Sequence, residues 1–172
     1  GLAYRLRQLR ANLTAGPLDE RASRVVAETL APAEAALFYR LIPADQWHSY
    51  RVLCDLRAAG HHDPDLLAAA LLHDVGKTLY PLSPWDRTVI VVGSALFPSR
   101  AVAWGRGALD SWQRPFVVRA RHAEWGASMA EAAGSRPAMI DLIRRHQDKA
   151  LRADDDALRV LQWADEGIRE YE

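Results

Sequence analysis

Cysteine is almost missing from this 172-residue sequence: Cys54 stands alone, so no intramolecular disulfide can form. That fits a reducing, cytoplasmic compartment, and the apolar helical neighbours of Cys54 predict a small core residue. Charge of a dominant sign is also missing. Lysine and arginine number 22 and aspartate and glutamate 22, which argues against nucleic acid or an anionic membrane as a general partner. No apolar run nears the roughly 20 residues of a membrane span. The longest, TVIVVGSALF (88–97), is about half that, and is predicted to be a buried helix. No basic segment leads into an apolar one, so no secretory signal is visible. Internal repeats and low-complexity tracts are lacking too. The β-branched TVIVV would suit a strand, but no partner strand occurs elsewhere, so it is read as helix.

What is present favours helix: alanine, leucine and arginine dominate. Leu2, Leu6, Leu9 and Leu13 form one apolar stripe. Pro17 and Pro32 sit where helices can begin. Helices are predicted over 32–42 and 44–60, the second ended by Gly60, with His61 and His62 in the following turn. Asp63 caps the next, with Pro64 in its first turn, and that helix runs through DLLAAALLHD to Gly76. Further helices are expected over 117–134, 137–148 and 155–171, the last opened by Asp154–Asp156. The fold class is therefore all-α, a compact single-domain bundle of eight to ten helices.

In AALLHDVGK (69–77) four apolar residues run into His73, Asp74 and Lys77. Adjacent residues on a helix point about 100° apart, so both reach one point only across a neighbouring cleft. A buried carboxylate is costly unless it is paired or binds a cation. A metal ion would hold Asp74 deprotonated and take the neutral imidazole of His73; a buried His–Asp hydrogen bond is the plainer alternative. His48, His122, His146 and Asp165 also lie at or beside core-facing helix positions. Gly126 shares a helix face with His122, where its missing side chain lets another element come close.

The order His48, His73–Asp74, Asp165, with the strings ALLHDVGK, HAEWGA, LIRRHQD and LQWADE, resembles the HD superfamily of metal-dependent phosphohydrolases. The resemblance covers about 44 to 168. It divides the chain into an N-terminal helical extension packed on the domain (1–43) and an HD domain (44–172). It implies one ion on His48, His73, Asp74 and Asp165. As in the binuclear members, it implies a second on His122 and His146, with Asp74 bridging. Iron, manganese or a similar first-row divalent ion suits such ligands. Two ions about 3.5–4 Å apart can clamp a phosphoryl group and lower the pKa of a shared water. The implied activity is hydrolysis of a small phosphorylated molecule, a nucleotide or related phosphoester, with Asp74 and Lys77 in catalytic roles. Lys77 would stabilise phosphate charge or protonate the leaving group; a helix C-terminal cation is its alternative reading. Arg144 and Arg145 are expected on a solvated face. No Gly-Tyr-Pro follows His146, so the cyclic-di-GMP substrate of the branch that carries it does not transfer. The His-x-x-x-Gly-Ala element, seen here as HAEWGA, resembles that of small HD hydrolases of diadenosine tetraphosphate. The Trp- and Pro-rich stretch 78–114 is where substrate selection is expected. A metal-binding sensor or scaffold and a di-iron HD oxygenase are the alternatives.

Overall fold

The computed structural model of the chain describes residues 16–167; the predicted stripe of segment 2–13 lies outside them. Among the described residues there are no strands. The helices are α1 (Glu20–Thr29), α2 (Pro32–Phe38), α3 (Pro43–Ala58), α4 (Pro64–Leu72), α5 (Pro84–Leu96), α6 (Pro98–Trp104), α7 (Arg114–Ala132), α8 (Pro137–Arg145) and α9 (Asp156–Glu166), with a short 3-10 helix, Val75–Leu79, after α4. Proline occupies the first or second position of α2 to α8, where its missing N–H costs no helical bond. Pro17 does not open a helix: Asp19 caps α1, accepting from the Ala22 amide at 2.7 Å.

Helix α4 is the centre of the core. Asp63 accepts from the Leu66 amide at 2.9 Å, and every residue from Leu66 to Leu72 is buried. A helix apolar all round must be covered on all sides, and α1, α2, α3, α8 and α9 pack around it. Val26, Leu30, Phe38 and Leu41 from the N-terminal region join the same apolar cluster. Buried Glu34 ties this region to the far side, accepting from the Ala31 amide and the Ser135 hydroxyl at 2.8 and 2.7 Å.

Several expectations need correction. The segment 88–97 is helical through Leu96, but no residue of α5 or α6 is buried. The two helices pack on each other and on α7, so one side of each is left facing outward. Cys54 is half-buried against the core rather than within it. Arg145 is not solvated: its side chain, 13% exposed, reaches the carboxylates of Asp141, Asp148 and Asp155. That contact holds Asp155 down to about 2, chiefly through hydrogen bonds from the Arg145 guanidinium and the Arg152 amide. Arg144 does pair at the surface, with Glu124.

The helix expected to run through Asp74 stops at Leu72. His73 caps it, and Asp74 adopts φ −97°, ψ −1° ahead of the 3-10 helix. The cause lies across the interface. A Cβ on Gly76 would sit 2.0 Å from the His122 carbonyl oxygen and 2.7 Å from the Gly126 nitrogen. The chain therefore leaves α4 to lay a side-chain-free turn against α7.

Candidate metal centre

Six ionisable side chains converge between these helices. His48 comes from α3, His73 and Asp74 from the break after α4, His122 from α7, His146 from the end of α8 and Asp165 from α9. The break turns the adjacent residues 73 and 74 into one cleft, which a continuous helix would not do. Asp74 is central. Its Oδ1 lies 3.2 Å from His122 Nε2; its Oδ2 lies 3.6 Å from His73 Nε2 and 4.0 Å from His48 Nε2. Asp165 Oδ1 is 2.9 Å from His48 Nε2 and 3.4 Å from His73 Nε2. Among the described residues, two groups have donor atoms within 4.8 Å of one another, His48–His73–Asp74 and Asp74–His122–His146, and Asp74 belongs to both.

Backbone carbonyls fix three of the imidazoles. The Nδ1 of His73 lies 2.9 Å from Ala70 O, that of His146 2.8 Å from Ile143 O, and that of His122 2.9 Å from Arg119 O. A carbonyl only accepts, so each Nδ1 carries a proton and each Nε2 faces the cleft, with a lone pair wherever the ring is neutral. This is the outer-sphere arrangement that orients metal-binding histidines. His122 Nε2 and His146 Nε2 then face each other at 3.3 Å; two lone pairs that close repel unless a cation, proton or metal, lies between them. His73 Nε2 is buried without a hydrogen-bond partner, an orphan that a cation would satisfy. His48 differs: Arg51 donates to its Nδ1 at 3.2 Å, leaving Nε2–H to donate to Asp165. Taking a metal at that nitrogen requires the proton to move and exposed Arg51 to turn away.

The electrostatics favour positive charge. Burial opposes protonation of His73, but the Asp74 and Asp165 carboxylates outweigh it and raise its pKa to about 9. Burial and the neighbouring His73 and His122 push His146 down to about 3, so it stays neutral. Burial works against the Asp74 carboxylate, yet Lys77, His73 and His122 hold it well below the usual range. Asp165 is likewise held low against burial, by His73 and the hydrogen bond from His48. Lys77, a quarter exposed, places its ammonium 2.5 Å from Asp74 Oδ2. It thus meets a carboxylate, not the open carbonyls of the helix end, and burial of its charge is outweighed by Asp74, so its pKa rises.

The HD domain family model matches residues 47–167. The chain belongs to the HD domain family. No curated protein and no solved structure matches it. HD domains bind divalent metals, and the two histidine–aspartate groups of this HD domain could hold them. Sequence reasoning missed the supports of the site: the carbonyls of Ala70, Arg119 and Ile143, and the Asp45–Arg87 pair. There the Arg87 guanidinium donates to both Asp45 oxygens at 2.8 and 2.7 Å. Asp45 in turn helps to hold the charge on Lys77. A carbonyl three residues before each histidine is a regular helical relation, but nothing in residue identity marks it as functional.

The raised His73 pKa gives a test of cation binding. Below about pH 9 the metal-free site holds a proton on His73 that an ion must displace. Calorimetry near pH 7.5 in buffers of different ionisation heat should show about one proton released per chain on manganese binding, with affinity rising as pH rises towards 9. Metal-free stability should run the other way. A raised pKa contributes fully below the unfolded value of about 6.5, and that contribution is lost as pH climbs through about 9.

Proposed function

We propose that this HD domain is a metal-dependent phosphohydrolase acting on a nucleotide or related phosphoester. In this reading His48, His73, Asp74 and Asp165 hold one divalent ion, and Asp74, His122 and His146 a second, iron, manganese or similar. The observation that carries it is the division of the two Asp74 oxygens between separate histidine groups, a bridging arrangement. When bound, the ions would supply Lewis acidity towards a phosphoryl oxygen and lower the pKa of water. The protein's own residues do the rest. Carbonyl-anchored imidazoles keep their lone pairs aimed, and Lys77 stands beside Asp74 to meet phosphate charge or protonate the leaving oxygen. A cavity of about 770 Å³, lined by His146 and Asp165, opens beside the cluster. That volume is in the range of small-molecule sites. Val102, Phe116 and Ala120 give it an apolar wall, and Gln147 and Lys149 a polar edge, which suits a molecule carrying a planar group and a phosphate.

The test measures metal content and phosphate release from a nucleotide panel with manganese and with iron. Two ions per chain and release abolished by Asp74→Ala support the reading. Stoichiometric metal without turnover of any phosphoester would refute it in favour of a metal-binding sensor, and oxygen consumption with a polyol would place the protein among the oxygenases. Lys77→Gln is expected to lower kcat about 10²–10⁴-fold, the range for a lost proton donor. Metal affinity should hold or rise, because a cation competing for Asp74 is gone; a parallel loss of metal would move Lys77 out of the chemistry.

A further inference from the structure

Of the 22 lysines and arginines in the sequence only Lys77 and Lys149 are lysine. A chain that draws nearly all its positive charge from arginine has both lysines at the candidate site. Lys77 sits on Asp74 Oδ2 at 2.5 Å and is not among the side chains that line the cavity of about 770 Å³. Lys149 does line it, three residues past His146, which belongs to the same wall. The other charges on that lining are largely engaged. Arg119 donates to Ser94 Oγ, Asp148 accepts from Arg145 Nε at 3.0 Å, and Asp165 lies 2.9 Å from His48 Nε2. Among the described residues the exposed Lys149 ammonium has no ion-pair partner, although Asp148 is its neighbour in the chain and Glu166 is on the same lining.

The backbone beneath this side chain is fixed. The Asp148 amide donates to the Arg145 carbonyl at 2.8 Å, and Gln162 Nε2 donates to the Asp148 carbonyl at 2.8 Å. Gln162 also lines the cavity, one turn before Asp165 on α9. The turn that leaves His146 is therefore tied to the end of α8 on one side and to α9 on the other, and the ammonium swings only on its own four-carbon stem. An unpaired ammonium with three donors suits a phosphate oxygen, and a turn already held in place does not have to be ordered when a ligand arrives. We infer that Lys149 is a substrate-binding residue, its ammonium meeting the phosphate charge of a molecule that lies in the cavity with its reacting end at His146 and Asp165. The inference rests on the phosphohydrolase reading for the chemistry of the ligand and on the cavity for its place. It gives the two lysines separate partners: Lys77 stays with Asp74, and Lys149 selects a phosphorylated molecule over its uncharged counterpart.

The scarcity of lysine makes the test clean. Lysine isotope-labelled at its ε carbon, built into the full chain, gives one NMR signal for Lys77 and one for Lys149, and Lys149→Arg assigns them. The chain is loaded with zinc, which is diamagnetic and takes imidazole and carboxylate ligands, and is titrated with AMP, inorganic phosphate and adenosine. AMP should shift the Lys149 signal saturably, and adenosine should leave it in place. Lys149→Gln should bind AMP about tenfold or more weakly, the loss expected for one hydrogen bond to a charged group, with its zinc content unchanged. AMP binding that leaves the Lys149 signal unmoved, or that is equally tight in Lys149→Gln, would overturn the proposal. So would a shift reproduced by sodium chloride at the same ionic strength, or a zinc-loaded chain that binds neither AMP nor inorganic phosphate. Saturable movement of the Lys149 signal in a protein that releases phosphate from no phosphoester would uphold this residue's part in binding while removing the hydrolase reading.

Discussion

If the chain is the two-ion phosphohydrolase proposed above, Asp74→Asn should bring phosphate release down about 10³-fold or more and reduce metal content to one ion per chain at most. Asparagine keeps the shape of the side chain and loses its charge. Both histidine groups depend on that charge, because Asp74 Oδ1 serves the His122 side and Oδ2 the His73 side. Losing several kcal/mol of Lewis-acid stabilisation corresponds to at least that rate factor. His146→Ala is the informative companion. It touches only the second group, so one ion should remain and the two variants should separate in metal analysis before any assay is run. Equal metal loading of Asp74→Asn and the unmodified protein would sink the bridging role.

Among the described glycines, Gly76→Ala should be the most damaging. The added carbon would meet the backbone of His122 and Gly126, at 2.0 and 2.7 Å, and backbone cannot rotate aside as a side chain can. Overpacking of this kind costs about 3 kcal/mol, which for a chain of this size lowers Tm by about 6–12 °C. The displacement also moves His122, so metal binding should weaken together with stability. Gly60→Ala separates space from conformation. Gly60 has φ +86° and nothing within 4 Å of an added Cβ, so only backbone strain opposes the change. A loss near 1 kcal/mol, with metal binding intact, is expected there. Thermal denaturation of the two variants with and without manganese checks both statements.

Much of the bundle could be read directly because its punctuation is local. Asp63 with Pro64 starts α4 where the sequence places the start, and Gly60 ends the preceding segment. The histidines and aspartates were legible as a set only through the ordered pattern they share with the HD superfamily, since singly each reads as an ordinary core or surface residue; the structure brings all six into one cleft. What escaped depends on contacts between segments distant in the chain. The break at Leu72 is imposed by α7 pressing on Gly76, and no propensity in ALLHDVG announces it. The same contact answers the question raised by Gly126: the element that approaches it is the 3-10 turn. Arg145 resembles every other arginine in a sequence full of them until three carboxylates close round it. The exposure of TVIVVGSALF runs against its composition, since apolar content shows that a surface needs cover and not where the cover comes from.

The prolines at the openings of α2 to α8 bear on how the protein tolerates heat. Each restricts the unfolded chain at a point where the native backbone already has the required φ, and a compatible proline of this kind contributes about 0.4–1 kcal/mol by that route. Seven such positions spread the effect along the whole sequence. Pro115 is buried, but exchanging any one of the six exposed prolines for alanine should be a minor injury, whereas a variant stripped of all six would keep its buried contacts and still melt far earlier, its loss residing in the disordered ensemble.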